Sequence, residues 1–182
     1  YANLTQTEDI RTEILAVNSL ESVLNLTKSL DVACQRYAAL ALCNLCSSEH
    51  KVRIVEDGAV RPLIFLCRFP DTEIQRYAAL SIAGLALGGH GNNKMRIVDE
   101  GSMRPLVDLV RFPDRDVQLA AAIAINSICL GLEQGTKAAL LTERGVEPLI
   151  ALLEKEDDKE IISAAMYCLG SLCENDDVKA RV

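Results

Sequence analysis

The hexamer QRYAAL stands at Gln35–Leu40 and returns unchanged at Gln75–Leu80. Few folds have a use for such a return. A chain that stacks similar layers does, because each layer must offer the next the same packing surface. The repetition extends well beyond the hexamer. "KVRIVEDGAVRPLIFLCRFPDTEIQRYAALSIAGLALGG" from Lys51 aligns without a gap with "KMRIVDEGSMRPLVDLVRFPDRDVQLAAAIAINSICLGL" from Lys94. The stretch from Lys137 follows with small offsets, and the stretch from Arg11 precedes in the same pattern. Gly88 to Asn93 (GGHGNN) adds residues between two units, a length change a loop absorbs at little entropic cost.

Each unit predicts three helices. The first is short, as in Val52 to Asp57, and stops at Gly58, Gly101 or Gly145, with Asn18 in that place in the first unit. Glycine, then asparagine, best tolerates a left-handed cap. The second helix opens close to Pro62, Pro105 and Pro148, since proline's missing N–H costs nothing in a first turn. Phe69-Pro70-Asp71 and Phe112-Pro113-Asp114 then break the chain, and the aspartate caps the third helix. That helix is long and rich in alanine (Ala38, Ala39, Ala41, Ala78, Ala79, Ala121, Ala122), which allows close approach by its neighbours. The sequence is 49% apolar but has no Trp and only 4% aromatic residues, so Ala, Leu, Ile and Val must fill its core. That mix suits packed helices better than a β-sandwich.

A net charge of −7 argues against nucleic acid as main partner and against electrostatic docking on an acidic membrane. No run is long and apolar enough to insert in a bilayer, and no signal-peptide pattern is present. Because the sequence begins at Tyr1, it reads as a piece of a longer chain. The seven cysteines mostly sit inside apolar helical runs; Cys43 and Cys46 have C-x-x-C spacing but no second ligand pair. They are read as reduced core thiols of a cytoplasmic protein, membrane association being left to segments outside this sequence.

No motif of catalysis emerges: no Walker A, no G-x-S-x-G, no H-E-x-x-H. Gly88-Gly89-His90-Gly91 follows a helix rather than a strand and lacks a following G-K-[ST], so it reads as a loop. His50 and His90 have no partners at metal-ligand spacing. Glu154, Glu156, Asp157, Asp158 and Glu160 lack the alternation of a calcium loop and suit a helix start. The expectation is therefore no enzyme, no cofactor and no metal.

Three helices in about forty residues, glycine before helix two and an A-x-x-A-L-x-N-L-like third helix resemble the armadillo repeat. The resemblance covers essentially the whole sequence. Four units fall at roughly 8–48, 49–90, 91–133 and 134–175, with a fifth starting at 176–182, in one domain over 1–182. It implies an all-α, right-handed α-α superhelix whose third helices line a concave groove. In peptide-binding members an asparagine near the end of each third helix holds the partner's backbone, and some carry a Trp one turn earlier. The asparagine position here holds Asn44, Gly84, Ser127 and Ser171; the Trp position holds Leu40, Leu80, Ile123 and Tyr167. The tryptophan array is absent, which argues against nuclear-import-signal binding.

On the same face stand Arg36, Arg76, Leu119 and Ser163, beside Tyr37, Tyr77, Ala120 and Ala164. Arg and Tyr favour binding hot spots. They could equally pack between layers and pair with acids such as Asp31 and Asp71 or those of the next helix. The candidate contacts are Arg36, Tyr37, Leu40, Asn44, Arg76, Tyr77, Leu80, Ser127 and Tyr167. The expected function is a non-catalytic scaffold or adaptor binding peptide or helical segments of other proteins. The alternative is a regulatory or substrate-adaptor segment of a larger enzyme or transport receptor. Leu80→Asp is expected to unfold the middle of the array and Asp157→Ala to matter little. Met166, Leu169, Leu172 and Cys173 are expected to form an uncovered face open to end-to-end self-association.

Overall fold

The computed structural model describes residues 12–13, 20–47, 50–87, 92–131, 134–155 and 158–173. Asn18, Gly88 to Gly91, Glu156, Asp157 and the stretch 174–182 lie outside them. Eleven helices and no strand occur among the described residues. They are α1 (Leu20–Leu26), α2 (Val32–Cys46), α3 (Lys51–Glu56), α4 (Val60–Cys67), α5 (Thr72–Ala86) and α6 (Asn93–Asp99). α7 (Met103–Val110), α8 (Arg115–Cys129), α9 (Gln134–Thr142), α10 (Val146–Leu153) and α11 (Lys159–Cys173) complete the set. From α3 onward the order is short, short, long, three times over.

The long helices stack in sequence, α2 on α5, α5 on α8 and α8 on α11, and each also packs on the short helix before it. Alanine makes the stack close: Ala39, Ala41, Ala79, Ala121 and Ala122 have no exposed surface. Leu42, Leu63, Ile82, Leu106 and Ile125 fill the space between layers and are equally buried. Each such Leu or Ile is worth about 1.5–3 kcal/mol. Exposed ion pairs are worth far less, so apolar packing holds the layers together.

Most of the sequence signals for a boundary have a physical counterpart. Asp31, Asp71, Asp114 and Asp158 accept backbone N–H groups at the starts of the four long helices. Pro62, Pro105 and Pro148 are the third residues of α4, α7 and α10, where no intrahelical donor is needed. Gly58 and Gly101 both adopt φ +84°. The amides after α3 and α6 fold back in paired bonds, Gly58 N to Val55 O with Ala59 N to Ile54 O, and Gly101 N to Val98 O with Ser102 N to Ile97 O.

After α9 the expectation for Gly145 is corrected. Its φ is −80°, and the left-handed residue is Arg144, at φ 53°. The same bond pair forms there, Arg144 N to Leu141 O and Gly145 N to Leu140 O. Gly145 is required for another reason: a Cβ there would lie 2.1 Å from Leu140 Cδ1 and 3.0 Å from Val107 Cγ2.

Two polar ladders repeat with the layers. Lys51 Nζ donates to Leu87 O and Lys94 Nζ to Leu130 O, each serving an orphan carbonyl at the end of its own unit's long helix. Arg61 pairs with Glu100, and Arg104 with Glu143 at 3.5 Å, joining a second helix to the next unit's first. The expected open face on α11 is also corrected in part. Met166 is 61% exposed, but Leu172 is 1% exposed, because it shares the core-facing side of α11 with Ile161, Ala165 and Cys168.

Candidate protein-binding face

The stacked long helices turn one face away from the short helices. Arg36, Arg76, Leu119 and Ser163 are the fifth residues of α2, α5, α8 and α11, and Leu40, Leu80, Ile123 and Tyr167 the ninth. One turn separates fifth from ninth, so the two rows lie side by side across four layers. Tyr37 is 65% exposed and Tyr167 71% exposed, while Leu40, Leu80 and Ile123 are half-buried against the core.

Two furrows open along this face. The first, about 190 Å3, lies between α2 and α5 and is lined by Arg36, Tyr37, Leu40, Glu73 and Tyr77 among others. The second, about 490 Å3, lies between α8 and α11, with Leu119, Ile123, Ala164 and Tyr167 on its walls and Lys159 at its rim. The structure thus brings Arg36, Tyr37, Leu40 and Tyr77 together and places Tyr167 two layers away.

The charged groups are engaged within the chain. Arg36 Nη2 lies 2.6 Å from Asp71 Oδ2, and its Nε 3.4 Å from Glu73. Hydrogen bonding from Arg36 holds the Asp71 carboxyl below the usual carboxylate range, against a weaker opposing pull from burial. Arg76 spreads over the Tyr77 ring, 4.9 Å from its centroid, donates to Tyr77 Oη at 3.2 Å and reaches Asp116 at 3.7 Å. Arg115 binds Asp158 at 2.8 Å and also Glu160. That bond depresses the Asp158 pKa first, with the Ile161 amide adding to it.

The asparagine positions divide. Asn44 is half-buried on α2. Ser127 is 2% exposed and its Oγ donates to Ile123 O at 2.8 Å, so its hydroxyl is turned into its own helix. Gly84 sits against the preceding layer: a Cβ there would fall 2.7 Å from Cys46 O. No side chain fits at that point, which is why glycine replaces the asparagine of the first unit.

Two groups of residues went unassigned in the sequence. Gln35 and Gln118, fourth in α2 and α8, donate to Thr27 O at 3.1 Å and Val110 O at 3.0 Å. They tie each long helix to the end of the helix before it; the glutamine heading QRYAAL was the available signal. Asn126 lines the second furrow one residue before the expected position. Its Oδ1 is buried and makes no hydrogen bond.

Burial keeps the core thiols protonated. All seven cysteines are unpaired. Burial pushes Cys67 and Cys129 up to about 12 and raises Cys46 and Cys168 further. Among the described residues, no three His, Cys, Asp or Glu side chains gather where a metal could bind. No described helix is long and apolar enough to cross a membrane.

The profile of the Armadillo/beta-catenin-like repeat matches residues 47–86. A designed armadillo repeat protein superposes on 99% of the chain at TM-score 0.92, with 21% identity and 76% of its own length covered. The chain carries an armadillo repeat and folds as an armadillo-type solenoid. A second designed armadillo repeat protein, in complex with the peptide (KR)4, matches this solenoid at TM-score 0.92 and 22% identity, over 99% of this chain and 76% of that one. An engineered protein is 32% identical at TM-score 0.86, over 93% of the solenoid and 41% of that protein. No curated protein matches the sequence.

Proposed function

We propose that this solenoid is a non-catalytic scaffold that holds an extended segment of another protein along its long-helix face. The observation that carries the reading is the row of exposed Tyr37 and Tyr167 with half-buried Leu40, Leu80 and Ile123 between them, on the long helices of four layers. Aromatic side chains fixed on rigid helices supply binding area at low entropic cost. The designed protein of the same fold in complex with the peptide (KR)4 supports a peptide-binding role. Asp71, Glu73, Asp116, Asp158 and Glu160 share three arginines of the chain, Arg36, Arg76 and Arg115. Unpaired, largely buried thiols favour the reducing cytoplasm as its location.

The test is capture from a peptide display library on the immobilised chain and on a Tyr37→Ser/Tyr167→Ser variant. Both tyrosines are largely exposed, so the variant retains its helical circular dichroism. Peptides enriched on the first and lost from the second are expected. Equal capture by both proteins removes the assignment of this face.

A further inference from the structure

We infer that a second docking surface lies on the outward ridge of α4, formed by Arg61, Phe65 and Arg68, and that it takes an acidic segment of a partner protein. An apolar side chain of that segment covers Phe65 and a carboxylate meets Arg68. The ridge belongs to a short helix and stands apart from the long-helix groove. The chain itself shows what such a ridge holds. Arg61 and Phe65 are the second and sixth residues of α4, and Arg68 directly follows it. Arg104, Asp108 and Arg111 hold the same places on α7. Spacings of four and three put each set on one helix face. On α7 the ridge is closed within the chain: Asp108 lies 3.4 Å from Arg104 and 3.6 Å from Arg111. On α4 a phenylalanine stands where that carboxylate stands on α7.

Phe65 is 55% exposed and lies against Phe69, their ring centroids 6.5 Å apart. The Arg68 guanidinium is exposed and has no hydrogen-bond or ion-pair partner among the described residues. Its counterpart Arg111 meets Asp108 and also donates to Arg144 O at 3.1 Å. Arg61 is bound to Glu100, but that bond leaves it free for a second acid, since Arg104 serves Asp108 and Glu143 at once. With Glu143 the α7 ridge is balanced, two arginines to two carboxylates. With Glu100 the α4 ridge has two arginines to one carboxylate. The chain's net charge of −7 is screened beyond about 8 Å at physiological salt, so the local excess governs contact. Arginine beside an exposed aromatic ring is the composition of a binding hot spot, and a guanidinium pairs a carboxylate through two parallel N–H groups.

Random-peptide display on the intact chain, repeated on Arg68→Ser and Phe65→Asp variants, tests the assignment. Both side chains are exposed, and Phe65→Asp writes into α4 the acid that α7 already carries, so circular dichroism should be unchanged. Peptides that pair Asp or Glu with a large apolar residue should be enriched on the parent and lost from both variants. One such peptide, made synthetically, should bind Arg68→Ser about tenfold more weakly than the parent. Phe65→Asp should abolish its binding, because the carboxylate then comes from within the chain. Arg68→Glu should instead prefer the peptide with Lys in place of its acid. Enrichment of basic peptides alone overturns the proposal, as do acidic peptides that bind Arg68→Ser or Phe65→Asp as tightly as the parent. Peptides lost only with Tyr37→Ser/Tyr167→Ser support the groove and overturn the ridge; peptides lost only with the ridge variants do the opposite. Enrichment of no peptide at all overturns both.

Discussion

Arg36 grips Asp71 across the boundary between α2 and α5, with Nη2 and Nε 2.6 and 3.0 Å from the same carboxylate oxygen. The other oxygen accepts the Ile74 amide at 3.1 Å. One carboxylate thus starts a helix and ties it to the layer before. Its folded pKa is lowered, chiefly by the Arg36 hydrogen bond. A lowered pKa means stability that is fully present above the unfolded value, about 3.9. It is lost as pH falls through the folded value. The urea midpoint should therefore hold from neutrality down to about pH 4 and drop below it. Asp71→Asn should shrink that acid-side drop, and an identical drop in the variant would contradict the linkage.

Asp114 Oδ1 accepts two amides at the start of α8, those of Asp116 and Val117, both at 3.0 Å. Asp114→Ala should cost about 1 kcal/mol in chemical denaturation, and Asp114→Asn should recover most of it. An alanine variant as stable as the parent would show that the cap contributes nothing.

Arg144 holds a left-handed conformation that Gly58 and Gly101 hold in the two preceding units. Arg144→Gly should raise stability, by about 1 kcal/mol at most, because strain relief outweighs the added freedom of the unfolded chain. Gly101→Ala should lower it by a similar amount even though no atom lies within 4 Å of the new Cβ. Thermal melts of the two variants moving the same way would refute the assignment.

Glycines inside the long helices offer a paired test. Gly84→Ala drives a methyl group into Cys46 O, 2.7 Å away, and should cost about 1–3 kcal/mol by pushing α2 and α5 apart. Gly170→Ala meets nothing within 4 Å and should stabilise α11 by about 0.5–1 kcal/mol. Denaturant midpoints read both, and a tolerated Gly84→Ala would mean that the layers are looser than the geometry shows.

Much of the fold was legible because repetition multiplies weak signals. One aspartate before an apolar run is a modest hint, but Asp31, Asp71, Asp114 and Asp158 recur in register and all four cap helices. Proline behaved likewise. Gly145 misled because a glycine can be needed for its conformation or for its missing side chain, and sequence does not separate the two. Within the candidate face, Tyr37 and Tyr77 were legible as neighbours once the helix register was known. Asn126 was not, because a one-residue shift on a helix turns a side chain by about 100°, and only packing shows which of Asn126 and Ser127 meets the furrow. The engagement of Arg36 and Arg76 depended on the distance between layers, which sequence does not carry.

The lysine and arginine ladders divide the chain's fastenings into two kinds. Lys51 and Lys94 bind within a unit, whereas Arg61–Glu100 and Arg104–Glu143 bridge one unit to the next along the short helices. Arg36–Asp71 and Arg115–Asp158 do the same along the long ones. Ions in solution weaken the exposed bridges first. Added salt should therefore screen the bridges between layers while the apolar packing that joins them persists, so the array keeps its shape.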